Sequence, residues 1–390
     1  MKKIVFFFFF ILFSYIYPLK AVEVSVRILS TKVITSFIFS PIEGNYTVYG
    51  DGVIISDSDV TGIFQMNIDG DSIQLKTFER TIGKYGSVKM IAKQNDCAFK
   101  IKSVQPESKV RSYEDNLMVT IAPDRKQFFL VNKVDVEKYI GGVVESESGK
   151  RSNLEYYKLQ SILCRTYLLG NINRHLYEGF QVCDDVHCQA YLNRTLNKDV
   201  KKAVYETKGL VVVDNDLNLI TAAFFSNCGG ETCNSQDVWA VSTSYLKSVK
   251  DTFCLRQTHA HWRSEIPLKD WKSYLQLKHN YPIEDSLKFN DATSFEQSNG
   301  RAIYFTDKDL KIPLKTIRSD FQLKSTYFSI DQVGNTIVFN GKGYGHGVGL
   351  CQEGAMRMAG LNFTYKQILN FYYKDVHLVD LLALNYFKQE

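Results

Sequence analysis

The chain has 390 residues, of which 45% are hydrophobic and 23% charged, so it can bury a large core and is not a disordered polymer. Its length predicts two domains. Lys and Arg exceed Asp and Glu by five, and Lys2, Lys3 and Lys20 account for three of those charges. The near-neutral remainder excludes the basic footprint of a nucleic-acid-binding protein.

Behind Lys2 and Lys3 runs an apolar and aromatic stretch from Ile4 to Tyr17, 14 residues long and too short for a comfortable transmembrane helix. With Ala21 as a small residue at the cut, residues 1–21 read as a secretory signal peptide. An uncleaved anchor is the alternative, because Leu19 stands where a small residue is usual. No later stretch is long and apolar enough to span a membrane. The expected location is therefore exported: cell envelope, periplasm or beyond. In that setting eight cysteines first suggest disulfides, and the close pairs Cys183/Cys188 and Cys228/Cys233 stand out.

Residues 22–107 alternate in short runs, with strands predicted at Val24–Ile28, Tyr46–Tyr49 and Val88–Ile91 and turns at Asp51-Gly52 and Asp69-Gly70. This reads as a small β-rich N-terminal module with a packing or binding role. A second unit, 112–390, opens with strands at Leu117–Ile121 and Phe128–Val131. The apolar run Ile140–Val144 reads as a further β-type segment that ends at Glu145 and Glu147. Ser152 and Glu155 form a capping-box pattern for a helix to about Asn173. A short helix at Ala203–Thr207 and strands at Leu210–Val213 and Leu219–Phe225 follow. Residues 269–297 are helical in parts. Strands return at Ser325–Ile330 and Thr336–Phe339, and Thr364 with Gln367 caps a last helix. The fold class is α+β, with β elements predominating.

Several segments carry more than structure. Between Gly341 and Gly349, glycine alternates with other residues around His346, and a helix start with Gln352 follows. One reading is a tightly packed turn with a buried histidine. The other is a ligand-facing floor with Tyr344, His346 and Gln352 as its polar groups. Glu145 and Glu147 share a face if extended and diverge if helical. Lys158 and Arg165 lie seven residues apart on one helix face. Cys183, His187 and Cys188, with His175 as the best fourth ligand, suit tetrahedral zinc, and a Cys183–Cys188 disulfide is the alternative. Asn227-Cys228-Gly229-Gly230-Glu231-Thr232 makes a glycine turn with exposed N–H groups and the Thr232 hydroxyl.

Gly341–Ala355 resembles the signature G-x-G-x-G-H-G-x-G-x-x-Q-x-G-A of the SpoIID/LytB family, the stage II sporulation protein D and amidase-enhancer proteins. Four further segments are similar to family motifs in the same order. Tyr139–Ser148 resembles Y-L-x-G-V-V-P-S-E-M, with Glu145 in place of proline and Ser148 in place of methionine. Tyr156–Tyr167 follows, with larger residues where alanines are usual, and then Cys183–Tyr191. The fourth is Ser226–Thr232 with Trp239 and Tyr245-Leu246, while Ile317-Arg318 and Leu323–Phe328 match the approach to the glycine run. The resemblance covers about Ser112 to His377 and leaves 22–107 unexplained.

The resemblance implies a peptidoglycan lytic transglycosylase acting on glycan strands without stem peptides, with Glu147 as its single acid. It also implies Lys158, Arg165, Gln189, Thr232, Tyr344, His346 and Gln352 as substrate contacts, the two cations being aimed at Glu147. One structural zinc on His175, Cys183, His187 and Cys188 is expected, and no organic cofactor. The alternative is a non-catalytic glycan-binding enhancer of a cell-wall amidase, which would then be a partner. A second carboxylate, Glu145, leaves hydrolysis open.

Overall fold

In the computed structural model, residues 22–381 are described except 57–61, 125, 150–151, 299 and 306–309, so the expected signal peptide lies outside the described residues. The strands are Glu23–Arg27 (β1), Ser36–Glu43 (β2), Tyr46–Gly50 (β3), Val53–Ser56 (β4), Phe64–Asp69 (β5) and Ser72–Lys76 (β6). They continue as Thr81–Tyr85 (β7), Ser87–Ala92 (β8), Ala98–Gln105 (β9), Arg111–Glu114 (β10), Asn116–Ile121 (β11) and Phe128–Asp135 (β12). Alternate residues such as Val24, Val26, Phe37, Phe39, Ile73 and Leu75 point inward and are fully buried.

Two sheets result. One runs β10-β9-β2-β5-β6-β7, and the other runs β1-β12-β11-β8-β3-β4, with Val182–Cys183 (β13) added beside β1. Rings from the two sheets meet edge-on, Phe37 against Phe128 at 5.0 Å and Phe39 against Tyr46 at 5.4 Å between centroids. Register across the larger sheet joins Glu23 to Asp135 and Leu117 to Met90. Strands from both sides of residues 107–112 therefore share one sheet and one core. Alternation tells which face of a strand is buried, not which strand lies beside it.

Val136–Ser148 (α1), Leu154–Gly170 (α2) and Lys198–Glu206 (α3) pack together under Leu210–Val213 (β14). The apolar run 140–144 is thus helical, not β. Asp135 caps the helix by accepting from the Glu137 and Lys138 amides. Gly142 lets it settle against Tyr191, whose ring a Cβ would meet at 2.4 Å. A short, fully buried apolar run has no period that separates strand from helix. α2 is capped by Asn153, whose side chain accepts from Glu155 N, rather than by Ser152.

Glu155 is instead paired with Lys158, which also pairs with Glu206. Arg165, fully buried, donates through Nε and Nη2 to Glu137 at 3.0 and 2.6 Å and through Nη1 to the Leu210 carbonyl. Both cations therefore clamp α2 to its neighbours instead of reaching Glu147. Their seven-residue spacing sets a common helix face but not what covers it.

Beyond β14 come Phe224–Phe225 (β15) and Ser235–Trp239 (α4). A second lobe follows: His261–Pro267 (β16), Leu268–His279 (α5), Ser286–Thr293 (α6), Ser294–Phe295 (β17), Tyr304–Phe305 (β18), Ile312–Pro313 (β19), Leu314–Asp320 (α7), Phe328–Val333 (β20) and Thr336–Lys342 (β21). Its sheet, β16-β21-β20-β17, has a separate core around Trp271, with Phe305 and Phe339 edge-on to the indole. β21 leads straight into the glycine run. Leu350–Cys351 (β22), Gln352–Gly360 (α8) and Tyr365–Tyr372 (α9) then return the chain to the first core, with the expected Thr364–Gln367 capping box present. His377–Asp380 (β23) pairs with β14. Among the described residues no helix is long and apolar enough to cross a membrane.

Removing one partner of a buried pair leaves the other desolvated and alone. Arg165→Ala is expected to lower the free energy of unfolding by about 3 kcal/mol. A denaturant titration checks this, and a loss near zero would show that the Glu137 pair carries no weight.

Candidate functional site

β15 and β22 run parallel, with Phe224 beside Leu350, and Asn227 and Tyr344 exchange backbone hydrogen bonds nearby. The glycines face this contact. Gly345 has φ +118°, and a Cβ there would lie 2.8 Å from Phe225 Cβ; at Gly349, with φ +80°, it would lie 2.2 Å from the Ala223 carbonyl oxygen. The glycines thus serve backbone packing, while Tyr344 and His346 between them are presented to a cleft.

His346 sits between the rings of Phe225 and Trp239, each 5.3 Å away between centroids. Its Nε2–H donates to the Phe224 carbonyl at 3.1 Å, and Nδ1 accepts from Val348 N–H at 3.1 Å, which assigns the tautomer. Burial pushes its pKa down to about 4, against the opposing pull of the Phe224 carbonyl. The ring is neutral at physiological pH and shapes the floor.

The last turn of α1 delivers Glu147 to the same cleft, where one carboxylate oxygen accepts from Ala190 N–H at 3.0 Å. Burial raises its pKa above the usual carboxylate range, and the Ala190 bond only partly offsets this. Because the segment is helical, Glu145 points elsewhere. It accepts from the Thr195 hydroxyl and from the Leu196 and Asn197 amides.

The cleft has a volume of about 910 Å³. Glu147, Gln189, Tyr344, His346 and Gln352 line it together with Phe224, Trp239 and Arg318. Among the described lining residues Glu147 is the sole carboxylate and Arg318 the sole Lys or Arg. Gln189 is 3% exposed and Gln352 8%, yet both amide atoms of Gln189 and Nε2 of Gln352 make no hydrogen bond of ordinary geometry. Unpaired amides in a protein interior are costly, and these two lie in the wall of the cleft.

Thr232 does not join this group. Its hydroxyl accepts from Val249 N–H at 2.8 Å, and it borders a neighbouring pocket of about 380 Å³ beside Arg301. Sequence reasoning assigned no role to Arg318 or Trp239. Both stand in segments that match the family, but neither belongs to a local pattern with chemistry of its own.

His175, Cys183, His187 and Cys188 converge, with one ligand atom from each within 4.8 Å of all the others. Cys183 Sγ lies 3.8 Å from His187 Nδ1, and Cys188 Sγ lies 3.6 Å from His175 Nε2 and 3.8 Å from His187 Nδ1. Bonds of 2.0–2.3 Å in a tetrahedral zinc shell place ligand atoms roughly 3.3–3.8 Å apart, so the donor set and its spacing fit that ion. Glu178 holds the other His175 nitrogen at 2.5 Å, the outer-shell bond that fixes a ligating imidazole.

Valine at Gly345 would meet both a closed φ region and the Phe225 side chain. Gly345→Val is expected to cost about 1–3 kcal/mol in backbone strain and to lower the melting temperature. Melting curves of the variant and the parent check this. Unchanged stability would show that the floor can shift without harm.

Residues 124–213, which contain Glu147, Gln189 and the histidine–cysteine cluster, match the family model described as stage II sporulation protein. The chain is 30% identical over 268 residues to an uncharacterized protein of Brachyspira hyodysenteriae, covering 67% of this chain and 72% of that one. It is 29% identical over 287 residues to the amidase enhancer of Bacillus subtilis, covering 61% of this chain and 40% of the relative. To stage II sporulation protein D of the same organism it is 27% identical over 293 residues, covering 71% and 83% of the two. With a matching family model, relatives of these names and an α+β fold that assembles the family's signature segments around one cleft, this chain belongs to the SpoIID family.

Proposed function

We propose that this protein is an exported peptidoglycan lytic transglycosylase that cuts stem-peptide-free glycan strands with Glu147 as its single acid–base group. The observation that carries the reading is a lone carboxyl, shifted toward its protonated form by burial, in a cleft with unpaired amides. Protonated Glu147 gives its proton to the glycosidic oxygen as the bond to the muramyl C1 breaks. The muramyl 6-hydroxyl attacks C1 and returns its proton to Glu147, which closes a 1,6-anhydro ring. No water is consumed, so no second carboxylate is needed. Hydrolysis uses two carboxyl groups flanking the bond, and Glu145 is turned toward Asn197 instead.

Other lining residues suit the same substrate. Trp239 and Tyr344 offer faces for sugar rings, and the amides of Gln189 and Gln352 match hydroxyl and acetamido groups. Arg318 suits the lactyl carboxylate that a stripped muramyl residue exposes. A structural zinc on His175, Cys183, His187 and Cys188 would hold the loop that carries Gln189 and Ala190, and hence the amide bonded to Glu147. With four protein ligands its contribution is to shape and not to the reaction.

Glu147→Gln is expected to reduce formation of anhydro-muramyl ends by about 10²–10⁴-fold, measured by mass analysis of digested glycan. The folded-state pKa is raised, so ionising Glu147 costs stability as pH climbs above the unfolded value. The variant should therefore melt no lower than the parent at neutral pH, and parental activity should fall as pH rises through that pKa. An active Glu147→Gln with an inactive Glu145→Gln would overturn the choice of acid.

The amidase enhancer among the relatives supports a second reading, a glycan-binding protein that stimulates a cell-wall amidase without chemistry of its own. In that case Glu147→Gln should stimulate the amidase as well as the parent does, and no anhydro ends should form with either. Arg318→Ala separates substrate preference from chemistry. Its KM for stripped glycan should rise roughly tenfold, the value of about one charge-assisted hydrogen bond, with kcat little changed.

A further inference from the structure

The pair Cys228/Cys233, suggested by spacing, is not formed. Cys233 packs under Gly347, whereas Cys228 faces Cys254 with 3.3 Å between sulfurs. Around that contact lies a second cluster. Cys228, Asp251, Cys254 and Cys351 each offer a ligand atom within 4.8 Å of the others, and all four residues are buried. They come from three segments: the turn after β15, the loop 251–254 and the N-cap of α8.

We propose that these four residues form a second structural zinc site, which ties the glycine-run floor and α8 to the loop 251–254. Three thiolates and a carboxylate make a four-coordinate shell for zinc, with the same net charge as a four-cysteine site. The surroundings are built for anionic ligands. The Cys228 and Gly354 amides aim N–H at Cys351 Sγ, at 3.3 and 3.4 Å. Tyr372 donates its hydroxyl to Asp251 Oδ2 at 2.8 Å, and Phe253 N–H donates to Oδ1 at 2.9 Å. These are the outer-shell bonds that orient ligands and tune a metal site. Gly354 makes the room: a Cβ there would lie 2.2 Å from Asp251 Oδ2 and 2.3 Å from the Tyr372 oxygen.

Competing occupants fit less well. Ligands of an iron–sulfur cluster surround several atoms and must stand farther apart than these do. A Cys228–Cys254 disulfide would leave the buried Asp251 carboxylate beside Cys351 with no cation. Zinc neutralises part of that charge and releases the thiol protons as it binds. The site is independent of the chemistry assigned to Glu147, and its test does not read activity.

The full chain should be purified without chelator, desalted, and measured for zinc per chain by elemental analysis. His187→Ala/Cys188→Ser removes the first cluster and is expected to retain one zinc, which adding Cys254→Ser should abolish. Cobalt loaded into His187→Ala/Cys188→Ser should give a thiolate-to-metal charge-transfer band, a readout that stands if the Cys254 variant fails to fold. His187→Ala/Cys188→Ser protein without zinc and without that cobalt band overturns the proposal. So does a Cys228–Cys254 disulfide found by non-reducing peptide mapping.

Discussion

Two stretches of backbone, Ala223–Gly229 and Gly343–Gly349, lie closer than any Cβ on the facing side would allow. The rest of the site depends on that approach. Side chains at Gly343, Gly345 or Gly349 would each meet the opposing segment at 2.8 Å or less. With them absent, β15 and β22 can pair, and two of the residues alternating with the glycines turn toward the cleft while Val348 packs into the core. Tyr344 and His346 reach the cleft for that reason, and Gln352 follows at the start of α8. The conformational freedom given up by four positive-φ glycines in the run has to be offset by packing elsewhere.

The opposite wall is held by different means. α1 is fixed at its start by the Asp135 cap and the Glu137–Arg165 pair, and along its length by contact with Tyr191 and Thr195. Its last turn then leaves Glu147 facing the cleft with only one backbone hydrogen bond. The carboxyl is desolvated without being fully satisfied, and so is biased toward its protonated form. Glu145, two residues earlier, has three donors and stays with the loop before α3. A helix gives these neighbouring acids opposite environments, which an extended segment would not.

Clusters of sulfur ligands flank both walls. The first lies next to the loop that supplies Ala190 N–H to Glu147, and the second sits beneath the turn that begins α8. The first closes the short stretch 175–188, whereas the second joins segments as far apart as 228 and 351. Metal or disulfide links are a usual means of stiffening loops that a hydrophobic core does not reach.

The glycine run, the His–Cys cluster and the alternating strands of 22–107 were legible in the sequence because each depends on residue type and local period. Glu147, Gln189, Tyr344, His346 and Gln352 were likewise found as members of motifs, and the fold brings them to one cleft. What sequence left open was non-local. Ile140–Val144 is apolar on all sides, so strand and helix look alike. Lys158 and Arg165 share a face whose partners, Glu206 and Glu137, come from other helices. The strands of 22–107 pair across the expected boundary because register depends on the neighbour, which alternation does not name. Cys228 chose Cys254 over the nearer Cys233, since only three-dimensional proximity lets ligand atoms meet. Residue type determined which chemistry the chain carries; tertiary packing decided which groups are desolvated together, because burial and electrostatics act through space and not along the chain.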